Sequence, residues 1–340
     1  MEGATGSTSR SGIRRLALLI WAAIACGLLA PGGSVRAEDP RTNDVRTDDA
    51  HAQNAILPTP VTEVAAGVFV HMAPYQLATP RNLGFIGNAG FIIGRDAVAV
   101  IDTGGSLRAG AGLRAAIRLR TSVPIRYVIN THVHPDHVLG NAAFLEDGTE
   151  FVGHAALPEA LAARQVVYLA KARELMGEEA FAGTRIVPPT RLVTDTLTLD
   201  LGDRPLLLEA WPLAHSGTDL TVMDVNTGTW FLGDLLFAGH VPALDGNALK
   251  WIALLDRMKQ REATRVVPGH GPAALSWPEA ALPTERYLRR LVADVRHLIQ
   301  QGRPMTEAGG SAASEAGEWS LFDEFNPRNA VTTFHDLEWE

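Results

Sequence analysis

The segment His132-Val133-His134-Pro135-Asp136-His137 constrains this chain more than any other. His132 and His134 alternate across one valine, so both project the same way from an extended segment. Pro135 then turns the chain, and Asp136-His137 opens the next helix. Imidazole and carboxylate are ordinary ligands of zinc and related divalent ions. Eleven histidines are spread over 340 residues, so three within six by chance is improbable, and metal binding is the better account.

Short apolar runs surround the motif. Residues 68–70, 89–93, 97–101 and 125–129 read as strands, the last ending just before the histidines. Residues 107–120 pattern as a helix, and 155–182, with no glycine before Gly177, as one long helix or two shorter ones. A second β-rich stretch covers 192–201, 205–213, 220–225 and 229–232. Helical pattern returns at 246–260, a strand at 265–267 and a helix at about 277–300. Two β-rich halves, each carrying helices, fit an α+β chain with two sheets face to face and helices outside.

The N-terminus has the form of an export signal. Arg14 and Arg15 precede an apolar run from Leu16 to Ala30, and Ser34-Val35-Arg36-Ala37 offers a cleavage site before Glu38. The run falls short of the roughly 20 apolar residues of a membrane span. This gives a signal peptide over 1–37, a flexible polar leader over 38–60, a main domain over 61–301, and a Gly/Ala/Ser/Glu-rich linker with a C-terminal tail over 302–340. The expected location is periplasmic or secreted, with a lipoprotein attached through Cys26 as the alternative. Cys26 is the only cysteine, so cleavage leaves a chain with no thiolate, and any metal must be held by His, Asp and Glu. Cleavage removes four Arg and one Glu, taking the formal charge from −8 to −11. An acidic surface argues against a nucleic-acid partner and leaves a small-molecule substrate open.

Three further groups stand where an apolar run gives way to a glycine-containing loop: His215 before Ser216-Gly217, Asp234 after Gly233, and His270 between Gly269 and Gly271. With these, the pattern resembles the metallo-β-lactamase-fold hydrolases, whose His-X-His-X-Asp-His signature is met by His132, His134, Asp136 and His137. The resemblance runs from about residue 62 to 275 and implies a four-layer αββα sandwich with two divalent metal ions, zinc above all, at one edge. It implies that His132, His134 and His215 hold one metal, that Asp136, His137 and His270 hold the other, and that Asp234 bridges them. A bridging carboxylate is absent from true zinc β-lactamases, so the set is more similar to glyoxalase II. A narrower resemblance joins Pro80-Arg81-Asn82-Leu83, Gly104-Gly105-Ser106, Leu235-Leu236-Phe237, 241–246 and the terminal Leu337-Glu338-Trp339-Glu340 to the quinoprotein relay system zinc metallohydrolases. That group is exported and associated with quinoprotein dehydrogenases, which implies a periplasmic quinoprotein or cytochrome partner.

The resemblance implies hydrolysis of an ester, thioester, lactone or amide, with Asp136 as the catalytic group that orients the water and moves its proton. Asp102 either fixes a ligand histidine or caps the turn at Thr103-Gly104-Gly105. Arg81 and Asn82, in a loop over 73–88, and His240, six residues past Asp234, are candidate substrate contacts. For Arg81 a surface salt bridge is the competing role. Competing functions are an iron-dependent persulfide dioxygenase of the same fold, a β-lactamase, and a metal-binding partner of a dehydrogenase without turnover.

Overall fold

The computed structural model describes residues 56–339. The expected signal peptide, and the leader as far as residue 55, lie outside the described residues. Among the described residues no helix is long and apolar enough to cross a membrane.

The strands form two sheets. The first has seven strands in chain order: β1 (Thr62–Ala65), β2 (Val68–His71), β3 (Ala89–Ile93), β4 (Val98–Ile101), β5 (Ile125–Ile129), β6 (Glu150–His154) and β7 (Arg191–Val193). Pairing is antiparallel from β1 to β4 and parallel from β4 to β7. The second sheet contains β8 (Thr196–Asp200), β9 (Pro205–Ala210), β10 (Leu220–Asp224), β11 (Thr229–Phe237) and β12 (Arg265–His270), with only the β11–β12 pair parallel.

Strand periodicity explains the layers. In β4, Ala99 and Ile101 face one way and Val98 and Val100 the other. The first pair joins Val70, Ile92 and Ile129 against Leu208, Val222, Phe231 and Val267 of the second sheet. The second pair packs on Leu113 and Ile117 of helix α1 (Leu107–Arg118). Both faces of β4 are buried, which is why it reads as a continuous apolar run. A short helix α2 (Pro135–Val138) follows β5, and α3 (Leu157–Phe181) covers it through Leu157, Leu161 and Met176. On the far side, α4 (Ala248–Met258), α5 (Ala281–Gln300) and α6 (Phe322–Leu337) bury the outer face of the second sheet around Trp230, Trp251 and Tyr287. The architecture is the αββα sandwich.

Several elements differ from the sequence reading. The single strand expected over 192–201 is two, β7 and β8, one in each sheet, with the crossing made at residues 194–195. Of the two forms expected over 155–182, the chain takes the two shorter helices, separated at Gly177, whose φ of 75° and ψ of 166° are non-helical. The stretch over 302–318 is not a linker. It forms two 3₁₀ helices, Met305–Gly310 and Ala313–Glu318, with Ala308 and Ala312 fully buried. Small residues let it pack closely, and Asn326 holds it through the carbonyls of Gly309 and Ser311.

Candidate metal centre

All seven ligand candidates converge at one edge of the sandwich. His132 and His134 follow the end of β5, and His134 is the extended residue that caps α2, on which Asp136 and His137 ride. His215 lies in the connection from β9 to β10, and His270 is the last residue of β12. Asp234 sits within β11, not beyond it. The strand continues through a register shift at Gly233, whose φ is 53°, and this irregularity turns the carboxylate toward the histidines.

The side chains fall into two groups: His132, His134, His215 and Asp234, and then Asp136, His137 and His270. In the first, His134 Nδ1 lies 3.1 Å from both His132 Nε2 and His215 Nε2. In the second, Asp136 Oδ2 lies 3.4 Å from both His137 Nε2 and His270 Nε2. Asp234 stands between them. Its Oδ2 is 3.5 Å from His132 Nε2 and from His215 Nε2, and 3.6 Å from His270 Nε2, while Oδ1 is 3.2 Å from His137 Nε2.

The outward hydrogen bonds fix what the inward atoms carry. His215 Nδ1 donates to the Ala243 carbonyl at 2.7 Å, and His137 Nδ1 to Asp102 Oδ2 at 2.8 Å. His134 Nε2 faces Asp245 Oδ2 at 3.3 Å. The Thr131 hydroxyl donates to Asp102 Oδ2 at 2.7 Å, so its oxygen accepts from His132 Nδ1 at 3.0 Å. In His132, His134 and His215 the outward nitrogen holds the proton, and the inward one presents a lone pair. Two lone pairs each 3.1 Å from that of His134 Nδ1 repel it unless a cation lies among them. Donors at about 2.0–2.1 Å from a tetrahedral zinc stand roughly 3.3 Å apart, which this spacing approaches.

Buried atoms without a partner mark the second group. His137 Nε2 and Asp234 Oδ1 are buried and accept no hydrogen bond. A Cβ at Gly87 would meet His137 Nε2 at 2.6 Å and Asp136 Oδ2 at 2.9 Å, so the missing side chain leaves the space a cation would take. The donor set therefore fits divalent cations on both sides of Asp234.

Charge follows the same division. Burial, helped by the nearby His137 charge, lowers the His132 pKa to about 4, and burial holds His215 well below the usual imidazole range. Burial also opposes charge on His137 and His270, but the carboxylates around them outweigh it. Asp234, Asp136 and Asp102 hold His137 well above its ordinary value, and Asp234 and Asp136 hold His270 at about 9. Burial would likewise raise Asp136 and Asp234, yet the surrounding imidazoles keep both well below the carboxylate range. The bare second group thus holds protons that a metal would displace.

The remaining sequence candidates separate clearly. Asp102 does not cap the glycine turn. From a left-handed backbone, φ 56°, it accepts from the Thr131 amide and hydroxyl and from His137. Asn82 is spent on its own loop, accepting from the Thr79 and Gly84 amides and donating to the Leu77 carbonyl. That leaves its carboxamide no free face for a substrate. Arg81 is exposed. His240 is 3% exposed, its Nδ1 is 2.6 Å from the Val241 carbonyl, and its ring lies 4.7 Å from that of His270. It packs behind a ligand candidate instead of lining an open face. Sequence reasoning did not find Thr131, Gly87 or Asp245. Asp245 joins His134 to Arg164 of α3, whose Nη2 lies 3.1 Å from Oδ2, and Val133, Arg164, Leu213, Thr218 and Asp245 line a cavity of about 400 Å³.

Residues 83–270 match the family described as the metallo-beta-lactamase superfamily. No curated protein matches the chain. Among solved structures, a metallo-beta-lactamase from Pontibacter korlensis shares 19% identity over 68% of this chain and 98% of its own, with a TM-score of 0.55. TMB-1 shares 18% over 68% of this chain and 97% of its own, at a TM-score of 0.53. The stereoselective inverting sec-alkylsulfatase Pisa1 from Pseudomonas sp. shares 15% over 82% of this chain, at a TM-score of 0.60, and the match spans 50% of the sulfatase. At these identities the structures speak to the fold, and the family match covers more than half of the chain; it belongs to the metallo-beta-lactamase superfamily.

Proposed function

We propose that this chain is a metal-dependent hydrolase that holds two divalent cations, zinc by the chemistry of its donors, and cleaves an ester, thioester, lactone or amide. The observation that carries this reading is the convergence of lone pairs from His132, His134 and His215, with Asp234 Oδ2 about equally far from that set and from His270. In this reading His132, His134 and His215 would hold the first cation and Asp136, His137 and His270 the second, with Asp234 placed to serve both. When bound, such a pair supplies Lewis acidity and lowers the pKa of a water from 15.7 to about 7.

The chain's own residues do the rest. Asp136, at the mouth of the site, receives the proton of the attacking water and passes it to the leaving group. Asp102 keeps the proton of His137 on Nδ1, and Asp245 keeps that of His134 on Nε2, so their inward nitrogens stay free. The cavity beside Asp245 receives the part of the substrate that does not react, with Arg164 at its wall. Burial raises the Tyr168 phenol pKa, which leaves a neutral donor near Arg164, Asp245 and Asp136. The N-terminal signal pattern supports a periplasmic setting. The motifs shared with quinoprotein-associated metallohydrolases support a redox enzyme as neighbour there.

The test is metal analysis of the purified chain with a substrate panel of esters, thioesters, lactones, amides and β-lactams. The alkylsulfatase among the structural neighbours adds a secondary alkyl sulfate to the panel. Two zinc ions per chain and chelator-sensitive turnover of a carbonyl substrate are expected. One iron per chain with thiol-dependent oxygen uptake would replace the hydrolase with a dioxygenase. A fully metallated protein with no turnover would leave a binding role.

A further inference from the structure

Helix α6 lies outside the residues that match the family, yet it touches the loop behind the candidate metal centre. Asn329, 1% exposed, brackets one residue of that loop. Its Nδ2 donates to the Pro242 carbonyl at 2.6 Å, and its Oδ1 accepts from the Leu244 amide at 3.0 Å. The residue between is Ala243, whose carbonyl accepts from His215 Nδ1 at 2.7 Å. The side-chain amide thus acts as a strand partner would, holding both neighbours of Ala243 and so the direction of its carbonyl. The same loop returns to the ligand segment, with the Asp245 amide donating to the His215 carbonyl at 3.1 Å and the Asn247 amide to the Ala214 carbonyl at 2.9 Å.

Asn329 is itself held from behind. Its Nδ2 lies 2.8 Å from the Tyr287 hydroxyl, which donates to Asn326 Oδ1 at 2.9 Å. Asn326 in turn donates to the Ser311 carbonyl at 2.8 Å. Tyr287 and Asn326 are buried, so this polar chain runs through the core to the loop. A buried network with every member satisfied is costly to disturb and rigid when intact.

We propose that Asn329 is a positioning residue for His215: through the Ala243 carbonyl it fixes the tautomer and the angle at which that imidazole meets the first cation. The inference rests on the two-cation reading above. Its test uses the full chain loaded with zinc, comparing release to a chelator for the wild type, Asn329→Asp, Asn329→Ser and Asn326→Asp, with a melting curve for each. Asn329→Asp keeps the acceptor for Leu244 and loses the donors. Asn326→Asp breaks the same network and leaves the loop at 241–247 untouched. The Asn329 variants should release one of the two ions about 10- to 100-fold faster and the other at the wild-type rate. Asn326→Asp should release both at the wild-type rate even where its Tm falls as far. Wild-type release from the Asn329 variants, or equal acceleration in Asn326→Asp, would overturn the proposal, the second by reducing Asn329 to a purely structural role. Should the Asn329 variants not fold, the wild type still decides. His215 Nδ1–H should give a slowly exchanging proton resonance coupled to the Ala243 carbonyl, and its absence would overturn the proposal. A wild type that binds no zinc would instead overturn the two-cation reading itself.

Discussion

At the scale of single residues, the site depends on a side chain that is missing. Gly87 has no left-handed backbone requirement, so alanine fits its conformation and differs only in the methyl group set against His137 and Asp136. Gly87→Ala is expected to keep its Tm within a few degrees and to lose one metal per chain with nearly all activity, as elemental analysis and a melting curve would show. Asp102→Asn should act differently. It removes the acceptor that sets His137, so both ions still bind and metal affinity falls about 10- to 100-fold in a chelator titration. The seven ligand candidates could be picked out because His and Asp stand out where they break or follow apolar runs, and three of the histidines fall within six residues. Thr131, Asp245 and Gly87 could not. A threonine or an aspartate acquires its role only when folding brings its oxygen to the back of a particular imidazole, and a glycine announces nothing about what it leaves room for.

At the scale of elements, periodicity reported the helices and the buried strands, and it failed where one apolar run serves two sheets. Residues 191–200 alternate well enough to look like one strand, and the switch at residues 194–195 shows only in the pairing partners. The stretch over 302–318 misled for the opposite reason. Its small residues suit a linker, and they equally suit close packing under α6. Removing everything from Trp319 onward would strip Trp319, Phe322, Phe334 and Leu337 from the core against α5. At roughly 1.5–3 kcal/mol for each buried side chain, the loss rivals the whole stability of an ordinary domain. The truncated chain should show no cooperative melt and should elute as aggregate. Strand β2 offers a test by pH. The His71 ring packs 4.2 Å from Phe85 and its Nδ1 donates to the Pro60 carbonyl at 2.9 Å. Burial lowers its pKa more than that hydrogen bond raises it. The unfolded imidazole therefore takes up its proton first, near pH 6.5, and stability present above that value is lost as the pH falls through the lower folded value. Between about pH 7.5 and pH 5, His71→Gln should lose less Tm than the wild type.

At the scale of the molecule, two sheets with helices outside leave one edge where β5, β9, β11 and β12 all deliver polar side chains. The rigid sandwich supplies the precision, and the connections supply the chemistry. The C-terminal helix adds a brace that the matched part of the family domain does not contain. If Asp234 joins two metal positions, the number of metal ions per chain depends on it, and elemental analysis of the wild type and of Asp234→Ala measures that number. Two ions are expected in the wild type, with a fall toward one in the variant. An unchanged count in Asp234→Ala, or a wild type that binds none, would contradict the bridging by Asp234.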